Sequence, residues 1–365
     1  MNEHAPAART AISASLTEQV WQFSELVLRT RFAQALEEGV ARYPVYRNLR
    51  YAARIALEEH FDAVALTLGW RAQRIDANSM LLDGDGLLIV AYGGRKSDYC
   101  SCHFSIWAGT PQIAEAAKEA ILALAGDSRV LEPMFSIDWH FLTSKGELES
   151  ASIEELADDV LLDEAYPELM GAGGVNAFIQ RYLDARETVL VLQGPPGTGK
   201  TRLIRAILGE ISRRRGGEAQ ALYTGDKKAL ESDQIFVKFI TGWDDAFVVE
   251  DADHLLKPRS EGNEHLHRFL TIADGVVRSQ GRKIIFSTNL PNVGDLDDAL
   301  IRPGRCFARV HVRQLVDAEI ETLVARLTGE DAFRSGVALS ALRSNARPHH
   351  SLAEIYKAVE MATGG

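Results

Sequence analysis

Eight consecutive residues, Gly194-Pro195-Pro196-Gly197-Thr198-Gly199-Lys200-Thr201, constrain this chain more than any other feature. They fit the pattern G-x-x-x-x-G-K-[ST]. The apolar run Thr188 to Leu192 leads in as a strand, and a helical pattern from Thr201 to about Ile211 leads out. Glycines let the backbone wrap around phosphate oxygens and aim successive N–H groups at them. The helix N-terminus adds the positive end of its dipole. Lys200 is then expected on the β and γ phosphates and the Thr201 hydroxyl on Mg²⁺. Gly194 through Thr201, with Arg202, make up the expected nucleotide-binding set, and ATP and Mg²⁺ the expected ligands. Beyond this loop, strand and helix patterns alternate, which predicts an α/β module with a parallel sheet.

Glu250 stands fifty residues after Lys200, in Ala246-Phe247-Val248-Val249-Glu250-Asp251-Ala252-Asp253, an apolar strand ending in adjacent acids. Next to a phosphate loop, such a pair resembles a Walker B motif. One carboxylate holds Mg²⁺ through its water shell and the other polarises the attacking water. A second apolar strand, Ile284-Ile285-Phe286, ends in Ser287-Thr288-Asn289, and Leu296-Asp297-Asp298-Ala299-Leu300-Ile301-Arg302-Pro303-Gly304-Arg305 follows.

With these motifs on the page, the segment from about Asn176 to Val312 resembles the AAA family within the AAA+ superfamily, and the helical pattern after it resembles the lid loosely. The resemblance implies that Asn289 acts as sensor 1. It implies that Arg302 and Arg305 are arginine fingers reaching a neighbouring subunit's ATP, where transition-state charge needs a cation the phosphate loop does not supply. It also implies a homo-oligomeric ring, hexameric by the family's habit.

The chain departs from the family's pattern in three places. Its acids stand as Glu250-Asp251, where most of the family has Asp-Glu. The same inversion occurs in the mitochondrial AAA translocase that moves the folded Rieske protein. Glu250 is therefore expected on the metal side, with Thr201, and Asp251 on the water side, one methylene short. The region after the second strand reads Leu222-Tyr223-Thr224-Gly225-Asp226-Lys227-Lys228. The polar Thr224 stands inside what threading unfoldases use as an aromatic–hydrophobic–glycine grip, so Tyr223 either grips substrate or finishes the strand. Ala346-Arg347-Pro348 resembles the sensor 2 motif of Clp-type relatives, which would bring Arg347 to the nucleotide.

The first half reads differently. Residues 1–14 are expected to be a flexible leader, and 15–150 an α+β domain that binds a substrate or partner. Apolar spacing predicts helix from Leu16 to Tyr43 and again from Tyr46 to His60. Leu81-Leu82 and Leu87 to Ala91 flank Asp-Gly pairs as a hairpin would. Cys100, Cys102, Phe104 and Ile106 alternate with polar residues as in a half-buried strand. Thr110-Pro111 starts a helix to Ala125, and Phe135 to Leu142 is another strand of the same domain. Residues 151–174 read as an acidic linker, 175–315 as the AAA+ core and 316–365 as a helical lid.

Composition excludes little further. The charge of −11 and the lack of a basic stripe disfavour nucleic acid as a general partner. Three cysteines resemble no disulfide framework. No apolar stretch is long enough to span a membrane, and the cytoplasm is the expected compartment. Cys100-Ser101-Cys102-His103 is no convergent metal site, since alternate strand residues face opposite ways. His349-His350 has no partners in view, and Arg213 to Arg215 suit a helix C-terminus. The expected function is an ATP-hydrolysing remodelling motor acting as a ring on a protein partner held by residues 15–150. The alternatives are a DNA-associated AAA+ ATPase, such as a loader or transposition helper, and a slow nucleotide-controlled scaffold.

Overall fold

The computed structural model describes residues 30, 43–75, 78–96, 99–132, 134–157, 160–215, 218–257, 266–273, 281–292, 296–344 and 347–364. The helix expected from Leu16 to Tyr43 and the leader lie outside them, apart from isolated positions. The chain divides into two compact units between Leu131 and Glu132.

Among the described residues, the first unit is an antiparallel sheet with two helices. Its elements are β1 (Val45–Ala53), α1 (Leu57–Leu68), β2 (Arg71–Arg74), β3 (Ser79–Gly84), β4 (Leu87–Arg95), β5 (Cys100–Ala108), α2 (Pro111–Ala125) and β6 (Arg129–Val130). The sheet order is β2-β3-β4-β5-β1-β6. Asp85-Gly86 closes the expected hairpin, with Gly86 at φ 65°. Thr110 caps α2 by accepting from the Ile113 amide. The helix expected over Tyr46–His60 is corrected. Its first half is β1, which pairs residue for residue with β5 from Val45–Ala108 to Ala53–Cys100. Leu49, Tyr51 and Ala53 alternate into the core with Phe104, Ile106, Phe61 and Ile121. A two-residue period suits a half-buried strand as well as scattered apolar residues suit a helix, and full-length pairing decides it. The Cys100 and Cys102 sulfurs lie 3.6 Å apart, while His103 Nε2 contacts the Asn48 side chain at 2.5 Å.

The second unit holds a seven-stranded sheet. Its elements are β7 (Met134–Leu142), β8 (Leu148–Leu156), α3 (Gly174–Asp184), β9 (Val189–Gln193), α4 (Lys200–Arg214), β10 (Glu218–Thr224), α5 (Lys227–Glu231), α6 (Asp233–Thr241), β11 (Ala246–Val249), α7 (Asp253–Leu256), α8 (Leu266–Ala273), β12 (Lys283–Thr288) and β13 (Cys306–His311). Sheet order is β13-β9-β12-β11-β10-β7-β8. Every pairing from β13 to β7 is parallel, and only β7–β8 is antiparallel. Strands β9, β11 and β12 are buried throughout, so they read as apolar runs instead of alternating.

Two boundary expectations change here. The strand at Phe135–Leu142 does not close the first unit. It extends the parallel sheet beside β10, with Phe135 and Ile137 packing into the core that contains Leu203, Ile207 and Tyr223. The start of the acidic linker is β8, which forms the sheet edge. Its Glu149, Glu154 and Glu155 are the charged residues a protected edge carries, which is why the segment resembles a linker in composition.

The last segment comprises β14 (Leu315–Val316), α9 (Asp317–Leu327), α10 (Ala332–Arg343), β15 (His349–His350) and α11 (Leu352–Thr363). The two histidines pair with Val316 and Leu315. Ser351 and Glu354 form a capping box at the start of α11, fixing where that helix begins.

Candidate nucleotide site

The loop between β9 and α4 is shaped by its glycines. A Cβ on Gly194 would stand 1.8 Å from the Val312 carbonyl oxygen. One on Gly199, at φ 97°, would stand 2.7 Å from the Tyr166 hydroxyl. That hydroxyl donates to the Gly199 carbonyl at 2.9 Å, bracing the loop from behind. Thr198 Oγ1 closes the turn onto the Pro195 carbonyl at 2.9 Å.

Lys200 is buried at the mouth of α4. Its ammonium donates to the carbonyls of Gly194 (2.7 Å) and Pro195 (3.0 Å) and to Asn289 Oδ1 (2.9 Å). Burial holds its pKa below the usual lysine value, while Asp251, Glu250 and Asp253 pull it back up. Asn289 in turn donates through Nδ2 to Asp251 Oδ1 at 2.9 Å. The tip of β12 is fixed by Asp253, whose Oδ1 accepts from Thr288 Oγ1 (2.6 Å) and the Asn289 amide (2.8 Å).

The two acids divide between two partners. Glu250 directly follows β11, and its Oε1 accepts from Thr201 Oγ1 at 2.6 Å. Its Oε2 accepts from the Tyr223 hydroxyl. Asp251 adopts φ 49°, which turns the chain so that the second acid points to Asn289.

Residues of α11 complete the enclosure. A cavity of about 530 Å³ is lined by the loop, Arg202, Glu250, Asp251, Ser287 and Asn289 on one side and by Leu352, Ala353 and Tyr356 on the other. The Arg202 guanidinium lies 4.5 Å from the Tyr356 ring centre, and the Ala353 amide donates to the Gly197 carbonyl at 3.0 Å. The donor set suits Mg²⁺, a hard cation that takes one or two protein oxygens together with phosphate oxygens and water. Thr201 and Glu250 would supply those oxygens. The glycine loop and buried Lys200 suit a polyphosphate.

Residues 190–314 match the family model described as "ATPase family associated with various cellular activities (AAA)". They form an AAA ATPase domain. Among curated relatives, the chain is similar to the peroxisomal ATPase PEX6 of Cricetulus griseus, 26% identical over 264 residues that cover 68% of this chain and 25% of that protein. It is also similar to the proteasome-associated ATPase of Acidothermus cellulolyticus, 23% identical over 315 residues, 74% of this chain and 50% of that protein. The YME1 homologue of Caenorhabditis elegans, an ATP-dependent zinc metalloprotease, is 34% identical over 133 residues, 34% of this chain and 18% of that protein. The chain thus spans about a quarter of the PEX6 it matches.

The AAA domain brings Gly197, Gly199, Lys200, Thr201, Arg202, Pro196, Glu250, Asp251 and Asn289 to one cavity. It does not bring Arg302, Arg305 or Arg347 there. Arg302 is exposed beyond the turn before β13, and Arg305 Nη1 donates to the Ala299 carbonyl at 2.9 Å. Arg347 is turned to solvent and pairs with Glu354 at 3.5 Å. Helix α11 contributes Leu352, Ala353 and Tyr356 instead. Of the two readings of Tyr223, the structure favours the strand: it is a residue of β10, only 8% exposed, with its hydroxyl on Glu250. Sequence reasoning missed that contact, and missed Tyr166 and Tyr356, because an aromatic at a strand or helix position reads as core. The capping signal Ser351-x-x-Glu354 was the available hint that α11 begins at the site.

Proposed function

We propose that this chain is an ATP-hydrolysing AAA+ remodelling ATPase that works as a homo-oligomeric, hexameric ring on a protein partner bound by its N-terminal unit. The observation that carries the reading is the convergence of Lys200, Thr201, Glu250, Asp251 and Asn289 on one cavity closed by α11. In this reading the loop amides and Lys200 hold the phosphates. Thr201 and Glu250 hold Mg²⁺, which when bound neutralises charge developing on the phosphoryl oxygens. Asp251 orients the attacking water and accepts its proton, and Asn289 keeps that carboxylate aligned while contacting Lys200. Arg302, exposed and outside the lining of its own cavity, supplies the cation to a neighbour's site, and Arg305 secures the turn that presents it.

A protein as the substrate is supported by the relatives' printed names, which include a proteasome-associated ATPase and a metalloprotease. The charge of −11 argues in the same direction. No helix among the described residues is long and apolar enough to cross a membrane, which fits a cytoplasmic motor. The test is steady-state ATP turnover with Mg²⁺, measured alone, with DNA, and with proteins captured on the N-terminal unit. Turnover that requires Lys200 and rises with a captured protein supports the reading. Stimulation by DNA alone would point to a loader, and no turnover under any condition to a scaffold.

A further inference from the structure

Resting on that reading of the site, we infer that Tyr223 is a positioning residue that fixes the magnesium-side carboxylate of Glu250. The placement follows from register. Tyr223 lies opposite Val248 and Thr224 opposite Val249 in the parallel β10–β11 pair. The Glu250 amide then donates to the Thr224 carbonyl at 3.0 Å, so the ladder continues one residue beyond β11. This brings the Glu250 side chain past the end of the strand and under the Tyr223 hydroxyl, which donates to Oε2. Thr201 donates to Oε1. Each oxygen of one carboxylate therefore holds a separate donor and keeps a lone pair for other use.

The anchoring has a chemical motive. A glutamate has one more rotatable bond than an aspartate, and ordering a free side chain costs rotamer entropy. With Glu in the metal-side position, a second donor removes the freedom that the extra methylene introduces. The Tyr223 ring is itself held: it packs against Trp139 of β7, with ring centres 5.2 Å apart, and is buried with Ile137 and Phe135. Burial and the adjacent Glu250 raise the phenol above its ordinary pKa. Strand β7 thereby acquires a role in the site, since it supplies the wall behind the tyrosine.

The test is calorimetric binding of a non-hydrolysable ATP analogue to wild type, Tyr223→Phe, Glu250→Gln and the double variant, with Mg²⁺ and again with EDTA. The Phe substitution keeps the ring and its packing. Loss of a hydrogen bond to a charged group should weaken Mg²⁺-dependent binding about tenfold. Binding in EDTA should stay within about twofold, and the substitution should add no further loss once Glu250 is Gln. Equal loss with and without Mg²⁺, no loss at all, or the same loss in the Glu250→Gln background would each overturn the inference. A wild-type chain that bound no nucleotide would overturn the reading of the site, and this inference with it.

Discussion

Asp251 sits in the left-handed region at φ 49°, a conformation that Asp and Asn tolerate better than other residues with a Cβ. This gives the order Glu250-Asp251 a backbone reason. The second position needs a residue that accepts the turn, and the first needs the reach to meet both Thr201 and Tyr223. Asp251→Asn should keep the backbone and the melting temperature while turnover falls sharply. Asp251→Glu restores charge but adds strain on the order of 1 kcal/mol, lowering the melting temperature by about 2–4 °C. A calorimetric scan beside an ATPase assay separates the two effects. Lys200→Ala removes a buried cation that binds two carbonyls and Asn289, and it should weaken ATP binding by about two orders of magnitude. Unchanged affinity would sink the phosphate-loop assignment. At this scale the sequence was readable wherever chemistry forces residue type: five loop residues from Pro196 to Thr201, both acids, and Ser287 and Asn289 of the Ser-Thr-Asn tip line the cavity. It was silent where a contact depends on which strand neighbours which, as for Tyr223.

At the scale of elements, the parallel strands were legible because burial on both faces leaves unbroken apolar runs. Strand β1 was not, since its alternation is interrupted by Arg47, on the same face as Leu49 and Tyr51, and resembles a helix face. Strand β8 was not legible either, because an edge strand carries the charges of a linker. The edge hairpin yields a sharp prediction. Strand β7 covers β10 along six registered positions, from Met134–Glu218 to Trp139–Tyr223. A chain starting at Glu132 should therefore melt cooperatively. One starting at Ala151, inside the hairpin, should expose Tyr223 and the β10 edge and aggregate or melt without cooperativity. Equal thermal melts for the two would show that β7 and β8 are dispensable.

At the scale of the whole molecule, the proposed ring acts on its partner without threading it. Tyr223 is buried, and Asp226 is engaged by the Lys228 and Leu142 amides at 3.0 Å and 2.8 Å. Between α5 and α6 there is one residue, Ser232. These elements leave the segment after β10 little freedom to grip an arbitrary chain. A stably folded fluorescent protein carrying an unstructured tail and fused to the true partner should keep its fluorescence during ATP turnover. Its ATP-dependent loss would reverse the claim. The division of labour between subunits can be tested more directly still. Arg302→Ala should bind ATP nearly normally and hydrolyse it poorly, and Lys200→Ala should do neither. Mixed rings of the two contain interfaces with an intact phosphate loop facing an intact Arg302. The decisive measurement is ATP turnover across mixing ratios of these two variants, with co-assembly verified. The account predicts activity that rises above both pure variants and peaks at intermediate ratios, whereas turnover that never exceeds the weighted sum of the two would contradict it.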